Sequence, residues 1–343
     1  MAFEPHPWFI GLEGVEHSAE VARTLAWAAT SGASGIIKPN DLRVRATPVP
    51  GGTVRIMPGG FVVESTYAGA SQQSYIERVP TTTEVAVPAT GSSGGATRYV
   101  VAAILDPDYP GGGNAPEVPN DGVYAAPRVT STLNLSYPHV PLARIKQPAN
   151  TATITDSMIT DLREVAVPRR KEYAFGRPRV ASDGSAGTTL SGTVGNGGEY
   201  FPGGNGSPNQ FQVDVPSWAT RVMIDADWMA VRYAAGENSW GQYWIEWGDE
   251  YRDRTWPGNQ QWERATQKFQ FDSPGSSNNT MRANWRLMDG LLVPSHLRGK
   301  TCTFAFKAGR ADSAPSRAVS MDQLSGLGMK LTFVEVALDD DLM

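Results

Sequence analysis

Between Thr220 and Tyr233 the sequence reads TRVMIDADWMAVRY, with Val222, Ile224, Ala226 and Trp228 on one parity and Asp225 and Asp227 on the other. A period of two sends successive side chains to opposite faces of a strand, so this run describes a strand with one buried and one wet face. The pattern recurs in LRVRAT (42–47), KFQF (268–271), TCTFAF (301–306) and KLTFVEVAL (330–338). TVRIMPGGFVVES (53–65) reads as a strand, a turn at Pro58-Gly59-Gly60, and a second strand. TEVAVP (83–88) and TRYVVAAIL (97–105) add two more, the latter apolar on both faces as a central strand is. With 36 glycines and 25 prolines among 343 residues to supply turns, the chain is expected to be mostly β.

One helix interrupts this pattern. In HSAEVARTLAWAATSG, Ser18 can cap, Val21, Leu25 and Ala28 recur at helical spacing, and Gly32 stops the run. Further on, PLARI (141–145) reads as a strand and ATIT (152–155) resumes it after Pro148. Thr155 or Asp156 then predicts the cap of a helix of about two turns carrying Met158, Ile159 and Leu162. Beyond Val167 the composition turns basic and then Gly/Ser-rich. Three regions follow: 1–167, a β-domain with an N-terminal helix; 168–208, a linker or extended arm; and 209–343, a β-sandwich or jelly roll.

Charge and cysteine content narrow the function classes. The net charge is −5, and 166–209 has an excess of only two basic groups (5 against 3), so nucleic acid is not an expected partner. Cys302 is the single cysteine, which excludes an internal disulfide and a Cys-rich zinc site. The stretch MAFEPHPWFIGLEG lacks the cationic start of a signal peptide, and no apolar run approaches the roughly 20 residues of a membrane span. The expectation is a chain assembled in a cytoplasm, with no membrane insertion.

No catalytic constellation, cofactor motif or metal motif emerges. Gly91-Ser92-Ser93-Gly94-Gly95 fits G-x-S-x-G, but a strand rather than a helix follows it. His6, His17, His139 and His296 are isolated, and Asp106 and Asp108 lack calcium-loop spacing. Asp225 and Asp227 share a strand face at a spacing that would suit a carboxylate pair, which leaves polysaccharide hydrolysis as a minor alternative. The strongest site signal is aromatic: eight of ten tryptophans lie at or after Trp218. In WGQYWIEWGD, Tyr243, Ile245 and Trp247 make one face, and Trp240, Gln242, Trp244 and Glu246 the other. Indoles interleaved with an amide and a carboxylate suit a glycan, with Trp256 and Trp262 in the following loop extending the surface. The same face would equally suit burial against another subunit.

The order of pieces carries a resemblance. HSAEVARTLAWAATSGASGIIKPNDLRV, TVRIMPGGFVVES, RYVVAAILDPDYPG and PLARI followed by ATITDSMITDLRE resemble minor tail proteins and baseplate or tail-fibre proteins of tailed, siphovirus-like actinobacteriophages. The match covers residues 15–165; VPSWATRV and GLLVPSHLRGKTCTFAFKAGR are similar to C-terminal modules of such proteins. The resemblance implies a virion component at the tail tip, a homotrimer attached to other tail or baseplate proteins through 1–167. Host attachment through 209–343 and no cofactor are also implied. A receptor-binding module for cell-envelope glycan is the alternative.

Overall fold

The alternating runs become strands in a computed structural model, which describes residues 18–110, 124–182, 187–203, 209–234, 236, 238–248, 266–272, 280–313 and 319–337. The chain divides into two compact units. The first runs to Pro168 and takes back the segment from Val336; the second runs from Arg169 to Glu335.

The first unit begins with α1 (Ala19–Thr30), where the Ser18 hydroxyl accepts the Val21 N–H at 3.2 Å and Ser31 closes the helix in the left-handed region. It continues through β1 (Gly35–Ile36), β2 (Val44–Ala46), β3 (Thr53–Ile56), β4 (Gly59–Glu64), β5 (Ser74–Val79), β6 (Thr83–Ala86), β7 (Ala96–Ile104), β8 (Ala125–Thr130), β9 (His139–Gln147) and β10 (Ile159–Asp161). Three sheets result, ordered β1-β4-β5, β2-β3-β6 and β10-β9-β7-β8. As its apolar composition requires, β7 is an interior strand, and Val100 to Ile104 are all buried.

Two expectations fail here. Pro58 does not mark a hairpin: β3 and β4 join different sheets, and Gly59 and Gly60 open β4 itself. A Cβ at Gly59 would run into Asp41, so the glycine permits a close backbone approach rather than a reversal. The helix expected after Thr155 is one 3₁₀ turn, Asp156–Met158, and Ile159–Asp161 then pairs antiparallel with β9. The reason is local. Asp156 sends its carboxylate to the Ala46 N–H at 2.8 Å, and Asp161 turns back to grip Arg163.

Arg163 is the knot of this closing segment. Its guanidinium is fully buried, meets Asp161 at 2.7 Å and donates to the carbonyls of Pro39 (3.2 Å) and Asp41 (2.7 Å). Ile36 N–H donates to the Glu164 carbonyl at 2.8 Å, so the ITDLRE stretch is bound along β1.

The second unit holds β11 (Arg170–Arg177), β12 (Thr188–Thr189), β13 (Glu199–Tyr200), β14 (Gln210–Asp214), β15 (Arg221–Tyr233), β16 (Ser239–Trp247), β17 (Thr266–Phe271), β18 (Met281–Leu292), β19 (Thr301–Arg310), β20 (Val319–Met321) and β21 (Gly326–Val334). One sheet carries β11-β21-β15 with β18 on the far side of β15, and β20-β12 beyond a bulge between Trp228 and Val231. The other carries β13 and β14 along β19, then β16 and β17. Their inner faces meet in one core: Trp228 lies edge-on to Phe306 at 4.6 Å, and Phe304 to Phe333 at 6.4 Å. This is a jelly-roll-like β-sandwich, as the alternation predicts.

Residues 168–208, expected as a linker or arm, contribute to this sandwich. β11 pairs with β21 over eight residues, and Leu190 and Phe201 are buried in the core. Glycine content misled because the glycines here serve tight packing as well as turns.

Candidate functional site

The site is built on the outward face of β16. Tyr243, Ile245 and Trp247 belong to the core, so the pleat sends Trp240, Gln242, Trp244 and Glu246 to the opposite side of the sheet. Register aligns Trp240 with Gln270 and Gln242 with Lys268 on β17; Trp244 with Lys307 and Glu246 with Ala305 on β19. Tyr200 on β13 stands beside Lys307 from the other edge.

These four residues do not form one surface. Trp244 is 1% exposed, because the turn Thr193–Gly198 folds onto this face. Gly198, at φ +66°, packs directly on the far edge of the indole, where any side chain would collide. The turn is fastened by Glu199, whose carboxylate accepts from Ser191 Oγ (2.7 Å) and Gly192 N (2.8 Å), and by Arg310, whose N–H donates to the Gly192 carbonyl at 3.0 Å. Glu246 is likewise internal. Lys307 Nζ lies 2.8 Å from it with both side chains under a tenth exposed, and Tyr200 OH donates to it at 3.1 Å. The ammonium also sits 5.2 Å from the Tyr200 ring and 5.7 Å from the Trp244 ring, a desolvated cation lodged between aromatic faces.

Trp240 and Gln242 remain. They line an open groove of about 460 Å³ with Val194 on one wall, Lys268, Phe269 and Gln270 on another, and Ala311 and Ser313 at the end. Gln242 is 7% exposed, yet among the described residues its amide has no hydrogen-bond partner. Gly241 between them is required: any side chain there would meet the Gly309 carbonyl and the Phe269 ring. A second groove, of about 340 Å³, opens beyond Tyr200 and Glu246 toward Thr301 and Thr303.

The expected site thus divides: Trp240 and Gln242 face a groove, Trp244 and Glu246 are held internally, and Trp256 and Trp262 lie outside the described residues. Sequence reading missed Lys307, Tyr200, Lys268 and Gln270. Lys307 shares the parity of Thr301, Thr303 and Ala305, so its outward direction was available; its partner across the sheet was not.

Other sequence candidates take structural roles. Arg286 holds Asp225 at 3.0 Å on the outer face of the other sheet; burial, with the neighbouring Asp225 charge, raises the Asp227 carboxyl. Asp106 accepts from Tyr75 OH at 2.8 Å and lies 3.5 Å from Arg23, so it ties α1 to β5. Among the described residues no cluster of His, Cys, Asp and Glu has metal-binding geometry.

No protein-family model matches the chain. No curated protein matches it either. Among solved structures, the VP2 subviral particle of infectious bursal disease virus is similar at 12% identity and a TM-score of 0.19, over 89% of this chain and 68% of that one. The mosquito-larvicidal Cry4Aa toxin of Bacillus thuringiensis gives 8% identity and 0.19, over 89% and 54%. A tandem CBM22 domain of Paenibacillus barcinonensis Xyn10C gives 11% and 0.17, over 89% and 100%. TM-scores this low do not mark a shared fold.

Proposed function

We propose that the chain is a virion structural protein, a minor tail or baseplate component at the tail tip, which contributes to host attachment and binds rather than catalyses. One observation carries this reading. The segments that resemble tail proteins are framework in the first unit: the capped helix, the buried β7, the β9 of PLARI and the Asp161–Arg163 knot of ITDLRE. A framework role for these segments fits a family that shares position in a particle rather than a reaction. Of the two carboxylates weighed for hydrolysis, Asp225 is engaged by Arg286 in an ion pair. Attachment to other tail proteins is assigned to the first unit, and contact with the host to the second, in a homotrimer.

The reading is tested by adhesion of the purified, fluorescently labelled full chain to a panel of actinobacterial envelopes, with competition against phage adsorption. Saturable adhesion that blocks adsorption to the same host is the expected result. Adhesion to none of the hosts the phage infects would refute the attachment role.

A further inference from the structure

We infer that the Trp240–Gln242 groove is a saccharide subsite that takes one neutral pyranose ring, an inference resting on the attachment reading and naming its ligand. Two independent features meet there. The first is geometric: a groove of about 460 Å³ falls within the roughly 300–1,000 Å³ of small-ligand sites, and it is floored by the face of a paired sheet. The second is chemical: the Gln242 amide lines this groove and makes no hydrogen bond to another described residue, which leaves it open to a group lying there.

The lining selects the ligand class. A primary amide offers two donors and an acceptor on one planar fork, which suits adjacent sugar hydroxyls that each donate and accept. Trp240 is half-buried beside it, so an apolar ring flank is available for the C–H face of a pyranose. Gln270, aligned with Trp240 across the register, adds a second amide whose N–H₂ already reaches Asp272 and whose oxygen remains an acceptor. A peptide is a poorer occupant, because the main-chain groups of β16 in the floor are already paired to β17 and β19. Nucleic acid is poorer still, since Lys268 is the single cation among the lining residues.

The groove's wall is fixed by the same turn that buries Trp244. Val194, itself buried, forms one side, and Gly309 is kept free of a side chain by the backbone of Thr193 and Val194. The subsite is therefore preformed, and binding orders few additional groups.

The test titrates the full chain and its Gln242→Leu and Trp240→Ala variants with methyl glycosides of glucose, galactose, mannose and N-acetylglucosamine. Saturation-transfer NMR detects binding, thermal melts check the fold, and envelope adhesion is measured in parallel. At least one glycoside binds saturably to the natural chain. Gln242→Leu weakens it about threefold to tenfold, the worth of one hydrogen bond, and Trp240→Ala abolishes it with the melt unchanged. Binding of no glycoside, or binding indifferent to both variants, overturns the subsite. If adhesion persists in that case, only this inference falls; if the natural chain does not adhere at all, the attachment reading falls separately. Gln242→Leu, which keeps the side-chain volume, guards against a Trp240 variant that misfolds.

Discussion

Replacing Lys307 by Met isolates the feature of the second unit with the largest expected effect. The ammonium and the Glu246 carboxylate lie 2.8 Å apart with side chains 6% and 8% exposed. Removing one member of such a pair strands the other charge in a poorly solvated place, which costs about 3–5 kcal/mol. Tyr200 OH still donates to Glu246 at 3.1 Å, so the lower half of that range is expected. For a unit of this size, each kcal/mol lowers the midpoint by about 2–4 °C, so a cost of about 3–4 kcal/mol shifts the Lys307→Met melt by about 6–16 °C. The double variant Lys307→Met/Glu246→Gln removes both charges and recovers much of the loss, since a neutral pair in this position is nearly as good as an ionic one. Thermal and urea unfolding of the two singles and the double complete a thermodynamic cycle. A Lys307→Met cost below about 1 kcal/mol, the value of an exposed pair, would refute the claim that the aromatic rings and the Thr193–Gly198 turn seal this site.

Four further outcomes follow from particular contacts. Trp244→Ala costs about 3–5 kcal/mol through the cavity left beneath Gly198, whereas Trp244→Phe costs less because its indole N–H has no partner among the described residues; calorimetry separates the two. Arg163→Ala leaves Asp161 and two carbonyls of the first unit without their cation and costs about 3–5 kcal/mol, seen as faster hydrogen exchange in β1 and β10. The Arg282 hydrogen bond holds the Asp322 carboxyl below its ordinary range, so in acid the unfolded chain binds the extra proton. Stability from this pair is present above about pH 4, is lost as pH falls further, and is missing from an Arg282→Ala acid-unfolding curve. Burial raises Tyr67, Tyr75 and Tyr233, and pushes Tyr243 to about 12. The unfolded chain then loses those protons first, so stability declines above about pH 10, and ultraviolet titration shows a late phenolic class.

Alternation made most of the sandwich readable, because Val222, Ile224, Ala226 and Trp228 have no other way to share a face. What escaped was whatever depends on a partner distant in sequence. The short turn at Asp156 replaced a helix because Ala46, 110 residues away, supplies an N–H for its carboxylate. The glycine-rich stretch after Val167 has linker composition, yet Gly198 is needed there to lie on Trp244. At the site, parity grouped Trp240, Gln242, Trp244 and Glu246 correctly on one face. Which of them stay accessible was decided by a turn and a lysine that no local pattern announces.

The central claim is that this chain belongs to the host-facing end of a phage tail. The direct measurement is electron microscopy of purified actinobacteriophage particles carrying the gene, decorated with antibody raised against the full chain. Label confined to the distal tip of the tail, with the antibody also blocking adsorption, is the predicted result. Label on the capsid, or particles that contain none of the chain, would contradict the account.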